Sequence, residues 1–161
     1  MRESKPQFNT NNSSDWSFAI VSCKWNNQFN EEMKDSAILA LKSCGITDKN
    51  ISVFECPGAF ELPIMSLKLA HSKKFDAIIC FGTIIRGDTY HFEVVANESA
   101  RGMMDVSLMT SVPVFNGVLT CNNIEQAKIR ASKNHENKGE EVALSAIAFL
   151  NESKKFPNSS N

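Results

Sequence analysis

Ala77-Ile78-Ile79-Cys80-Phe81 runs directly into Gly82-Thr83-Ile84-Ile85-Arg86-Gly87-Asp88-Thr89-Tyr90-His91. An unbroken apolar run closed by a glycine-bearing polar turn reads as a strand buried on both faces. The residues after the turn, Glu93 to Leu108, have helical character. Strand, turn and helix in that order make half of a βαβ unit. The same grammar extends outward in both directions.

Upstream, Phe18-Ala19-Ile20-Val21 is a second buried-strand run. Asn30, placed before Glu31 and Glu32, is the expected cap of the following helix, with the acidic pair in its first turn. Met33, Ala37, Ala40 and Leu41 recur at helical spacing, and Gly45 is the expected terminator. Ile51, Val53 and Phe54 predict a strand closed by Pro57-Gly58. A helix through Leu62, Met65, Leu67 and Leu69 follows, with Pro63 in its first turn, where a missing N–H costs little. Downstream, residues 112–119 predict a fourth strand, and residues 123–131 and 139–150 two helices. Strands that alternate with helices imply a mainly parallel four-stranded sheet covered on both faces, a three-layer α/β/α sandwich. Residues 17–152 are read as one domain. Residues 1–16 are read as a polar, mobile N-terminal arm able to add a strand to a neighbour's sheet, and 153–161 as a flexible tail.

Composition narrows the function classes. The formal net charge of -1 supplies no bulk field for nucleic acid or an anionic membrane. No apolar run is long enough to cross a bilayer, and residues 1–15 lack the apolar segment of a secretory signal. The five cysteines, Cys23, Cys44, Cys56, Cys80 and Cys121, form no C-x-x-C pair and read as reduced thiols of a cytoplasmic protein. No metal-ligand spacing, P-loop, dinucleotide fingerprint or serine elbow occurs, so no metal is expected.

In a parallel sheet, ligands bind beyond the carboxyl ends of the strands. That rule selects Lys24-Trp25-Asn26, Cys56 to Glu61, Gly82 to His91, and the segment after Thr120. Asp88 or Thr89 can cap the helix after the Gly87 turn, and the free N–H groups there suit an anion; for the turn alone, an ordinary strand–helix turn with a cap is the favoured reading. His91 suits proton transfer, or is simply a surface residue at a helix start. Trp25 can stack on a heterocycle or sit in the core. Phe60 can cover a ring and Glu61 accept from hydroxyls; both also fit a plain helix start. Arg130 can pair with a phosphate or satisfy a helix C-terminus. His71 and His135 lie in polar surroundings and read as solvated.

Taken together, the chain resembles the lumazine synthase family. The resemblance rests on Pro57-Gly58-Ala59-Phe60-Glu61-Leu62-Pro63, on Gly82 through Phe92, on Gly117-Val118-Leu119-Thr120 with Glu125-Gln126-Ala127 and Arg130-Ala131, and on Asn137-Lys138-Gly139. Their order and spacing fit from about Phe18 to Leu150. The resemblance implies a flavodoxin-like fold and condensation of 5-amino-6-(D-ribitylamino)uracil with 3,4-dihydroxy-2-butanone 4-phosphate, with no cofactor. It implies Trp25, where the family more often has Phe, as the residue stacked on the pyrimidine, with riboflavin as a possible flat, product-like ligand. Ala59, Phe60 and Glu61 would hold the ribityl chain, and Thr83, Ile84 and Ile85 the pyrimidine edge. Asp88, Thr89 and Arg130 would take the phosphate, aided by Lys138, and His91 would move protons. Asn116 stands where the family often closes the site from a neighbouring subunit with an apolar or aromatic residue. The implied assembly is a homopentamer, extended to an icosahedral shell. Ser132 and Glu136 replace frequent glycines in the loop that bears on shell formation. A flavin-binding or shell-forming paralogue and a flavodoxin-like FMN module are the competing readings.

Overall fold

A computed structural model describes residues 6–11 and 15–156. The described elements are β1 (Phe18–Cys23), α1 (Asn27–Ser43), β2 (Ile51–Cys56), α2 (Leu62–His71), β3 (Ala77–Ile85), α3 (His91–Thr110), β4 (Val114–Cys121), α4 (Ile124–Ala131) and α5 (Lys138–Ser153). The strands pair β2-β1-β3-β4, all parallel, so the expectation of a mainly parallel sheet holds without exception.

Period-two alternation divides the core. Phe18, Ile20, Ile79 and Phe81 face α1, α4 and α5, meeting Met33, Leu41, Ala143 and Ile147. Ala19, Val21, Ile78 and Cys80 face α2 and α3, meeting Leu62, Leu69, Met103 and Val106. Two buried faces explain why β1 and most of β3 read as unbroken apolar runs, while the edge strands β2 and β4 do not. No helix among the described residues is long and apolar enough to cross a membrane.

Most helix signals fall where expected. Gly45, at φ 93°, follows the end of α1. Pro63 lies in the first turn of α2. The Asn123 side chain accepts from Gln126 N–H at 2.9 Å and caps α4. Gly139 has a separate reason: a Cβ there would lie 2.0 Å from the carbonyl oxygen of Met33, so α5 meets α1 at a distance only glycine permits.

Two expectations need correction. Asn30 does not cap α1, which begins at Asn27 behind Asn26 in the left-handed region (φ 59°, ψ 39°). Asn30 is instead fully buried one turn inside, and Glu31 and Glu32 fall beyond the free N–H groups. Neither Asp88 nor Thr89 caps α3: Tyr90 precedes the helix with helical dihedrals and no side chain caps it. In the loop before α5, the positive φ falls on Asn137 (48°), and Ser132 sits at φ −64°. The expected arm (1–16) and tail (153–161) fall partly on residues 1–5, 12–14 and 157–161, outside the described residues. Of the arm, the carbonyls of Asn9 and Asn11 accept from the Asn151 side chain.

Candidate active site

Parallel strands deliver their carboxyl ends to one edge of the sheet, and a cavity of about 470 Å³ opens there. β1 supplies Trp25 and Asn26 through its exit loop. β2 supplies Ala59, Phe60 and Glu61 through a short 3-10 turn. β3 supplies Thr83, Ile84 and Ile85 from its own end, and the start of α3 supplies His91. Eight of the residues singled out in the sequence therefore line one cavity. Gly58, Cys23 and Val95 complete the wall.

The aromatic residues at its mouth are open to water: Trp25 is 75% exposed and Phe60 54%. Flat apolar surface left in water gains by covering a heterocycle, because stacking removes both faces from solvent. Glu61 has a structural task as well, since one of its oxygens accepts from Gly58 N–H at 3.0 Å and fixes the Pro57-Gly58 turn. A second hollow of about 580 Å³ also borders Trp25 and is lined by the exposed Lys24–Glu55 pair, 3.1 Å apart.

The loop bearing Trp25 is fastened by its backbone. Lys24 N–H donates to the Cys56 carbonyl at 2.9 Å and Trp25 N–H to the Pro57 carbonyl at 3.1 Å. Asn30 Nδ2 donates to the carbonyls of Cys23 (2.7 Å) and Trp25 (2.8 Å). Leaving such carbonyls unpaired costs about 1–3 kcal/mol each when buried. The Thr83 hydroxyl donates to Asn30 Oδ1 at 2.8 Å, and Asn26 Nδ2 donates to the Thr83 carbonyl at 2.8 Å. Thr83 is thus joined on both sides to the β1 loop.

Five singled-out residues stand apart from the cavity lining. Asp88 and Thr89 are exposed in the turn before α3. Asn116 lies mid-strand on the outer edge strand, its Oδ1 accepting from Val118 N–H at 2.9 Å. Arg130 is on α4, on the sheet face covered by α1 and α5, with Nη1 3.3 Å from Glu136 Oε2. Lys138 is held by Glu141 at 2.8 Å. His71 and His135 are exposed, as expected.

Sequence reasoning placed Arg86 and Asn26 in the selected segments but gave neither a role, and it misassigned Asn30. Arg86 lies 4.2 Å over the Phe92 ring, pairs with Glu93, and donates to Asn122 Oδ1 at 3.0 Å, so it binds the β3–α3 turn to the end of β4. Its guanidinium holds the Glu93 carboxyl below the usual carboxylate range. The Asn26-Asn27 doublet after a strand was the available signal for a left-handed residue. All five cysteines are free thiols. Cys23 and Cys56 have their sulfurs 3.6 Å apart. The hydrogen bond to Cys56, with burial, raises the Cys23 pKa, and burial pushes Cys80 up to about 12. Neither is a ready nucleophile.

Residues 15–154 match the family model described as 6,7-dimethyl-8-ribityllumazine synthase. The chain belongs to that family. A curated relative from Desulfotalea psychrophila, named 6,7-dimethyl-8-ribityllumazine synthase, is 46% identical over 134 residues, covering 83% of this chain and 86% of that protein. The activity is therefore that of a lumazine synthase, a transferase-type enzyme of riboflavin biosynthesis.

Proposed function

We propose that the chain condenses 5-amino-6-(D-ribitylamino)uracil with 3,4-dihydroxy-2-butanone 4-phosphate at sites shared between neighbouring copies of itself. The observation that carries this reading is the division of the candidate residues. The ring- and chain-binding set sits at the ends of β1, β2 and β3, while Asn116 is on edge strand β4 and Arg130 on α4, which packs with α1 and α5 over the other face of the sheet. A head-to-tail ring brings one copy's β4 flank to the next copy's cavity, and repetition of that contact closes the ring.

In this reading Trp25 stacks on the pyrimidine, and Ala59, Phe60 and Glu61 hold the ribityl chain. Thr83, Ile84 and Ile85 border the pyrimidine edge. The phosphate lies at the uncapped start of α3, beside Asp88 and Thr89, with Arg130 of the neighbouring copy as counter-charge. His91, in the first turn of α3, moves protons as the amine and ketone lose water and as phosphate departs. Holding both reactants in register supplies the larger part of the rate, about 7–11 kcal/mol in favourable cases. His91 adds a factor of about 10²–10⁴.

The assembly is a homopentamer, extended into an icosahedral shell. Support comes from the apolar side chains left in water on α2 and α3: Ile64 at 53%, Met104 at 60% and Leu108 at 74% exposure. Five free thiols support a cytoplasmic location. Mixing the purified protein with both substrates, with mass measured by light scattering, tests the reading. Lumazine fluorescence from a pentamer or larger particle supports it; a fully active monomer or dimer overturns the shared site.

A further inference from the structure

Trp25 presents an indole to the cavity, yet that ring is 75% exposed, so its own packing does not fix it. What holds its main chain is a pair of backbone bonds to Cys56 and Pro57 and, from the helix side, one side chain. Asn30 is 0% exposed and uses its whole amide: two donations to the carbonyls of Cys23 and Trp25, one acceptance from the Thr83 hydroxyl. The two carbonyls flank Lys24 and bracket the exit loop of β1. The Thr83 bond then joins this bracket to the end of β3, where Ile84 and Ile85 border the cavity. Asn26 closes the circuit from the other side by donating to the Thr83 carbonyl.

We propose that Asn30 is a positioning residue for the condensation: it holds the Trp25 indole in register with the β3 end so that the pyrimidine is gripped between stacking ring and strand. This rests on the reading of Trp25 as the stacking residue. Asn30 touches no substrate. Its effect passes through the Trp25 backbone and Thr83, and it falls on the pyrimidine half of the site. The phosphate half at α3 and Arg130 shares no hydrogen bond with it.

A chemical reason favours asparagine. Two carbonyls in one place demand two donors, and a hydroxyl brought from β3 demands an acceptor. A carboxamide provides both in a plane, whereas a carboxylate would repel the carbonyls and a hydroxyl supplies one donor only.

The test uses full-length assembled protein in a Trp16→Phe background, so that Trp25 is the sole indole. Asn30→Ala is expected to raise KM for the ribitylaminouracil about tenfold, with KM for the butanone phosphate within about twofold and a drop in Trp25 fluorescence anisotropy. Asn30→Thr, which keeps one donor, is expected to recover part of each effect. Thr83→Val, isosteric and gentler, is expected to move the same quantities in the same direction by a smaller factor, and it decides the matter if Asn30→Ala does not fold. Equal rises in both KM values, or unchanged anisotropy with a loss of kcat alone, overturns the inference. Trp25→Ala separates the two levels. If it leaves the pyrimidine KM unchanged, the stacking reading falls. If it raises that KM while the Asn30 and Thr83 variants do not, only the positioning role falls.

Discussion

Complementation between two crippled variants tests the shared site most directly. Arg130→Ala removes the proposed phosphate counter-charge; Trp25→Ala with His91→Ala removes the ring and proton functions. Arg130 is 49% exposed and its partner Glu136 50%, at 3.3 Å. An exposed pair of this kind contributes about 0–1 kcal/mol to folding, so Arg130→Ala should fold normally. Its cost should appear in catalysis instead. A charge-assisted contact enclosed between subunits is worth on the order of 2–5 kcal/mol, a loss of about thirtyfold or more in kcat/KM for the butanone phosphate. Each variant alone is then nearly inactive. Co-expressed in equal amounts and mixed at random around a ring, about a quarter of the interfaces pair an intact cavity with an intact Arg130 from the neighbour. Lumazine formation in the mixed assembly should approach a quarter of the wild-type rate. Activity no higher than that of the better parent, in particles shown to contain both chains, would refute a site completed across the interface.

Other outcomes follow from single contacts. Gly139→Ala drives a methyl into the Met33 carbonyl and should destabilise the fold by about 1–3 kcal/mol or more, read as a lowered melting temperature. An unchanged melt would mean that α1 and α5 do not meet as described. Riboflavin should quench Trp25 fluorescence, and Trp25→Ala should weaken its binding by about 1–3 kcal/mol; equal quenching in that variant removes the stack. Because Arg86 lowers the Glu93 pKa, the stabilisation from this pair is fully present above the ordinary glutamate value and fades as pH falls through the lower folded value. The melting-temperature gap between wild type and Arg86→Gln should hold from pH 7 to 5 and shrink below about pH 4; a gap independent of pH would assign Arg86 to packing on Phe92 alone.

The layers of this fold were legible because β1 and β3 are buried on both faces and so carry unbroken apolar runs. The eight cavity residues were legible for a topological reason: parallel strands put their exit loops at one edge, so three of the four segments selected from sequence meet in the cavity, and only the segment after Thr120, on edge strand β4, stays outside its lining. What sequence could not carry was direction. Asn before Glu-Glu has the form of a helix cap, and nothing local tells that Asn30 instead turns inward to meet carbonyls 5 and 7 residues back. The partner that decides it, Thr83, is 53 residues away. Arg86 was passed over likewise. In sequence it is one cation in a polar turn, and only the fold puts Phe92, Glu93 and Asn122 around it.

Exposure and function are coupled in this molecule by the same residues. A chain folding alone leaves Trp25, Phe60, Ile64, Met104 and Leu108 in water, an unfavourable disposition for apolar area. Two remedies exist, and they differ in timing. The α2 and α3 side chains lie on helix faces away from the cavity lining, so a permanent subunit contact can cover them. Trp25 and Phe60 border the cavity itself, and covering them permanently would close it to substrate. On the proposed reading they stay uncovered until a substrate ring arrives, and an indole that stays uncovered needs its orientation fixed from behind. The backbone circuit of Asn30, Thr83 and Asn26 meets that requirement without occupying the cavity. The assembly face can therefore vary with little effect on the pyrimidine contacts, whereas a change in the buried amide should reach them at once.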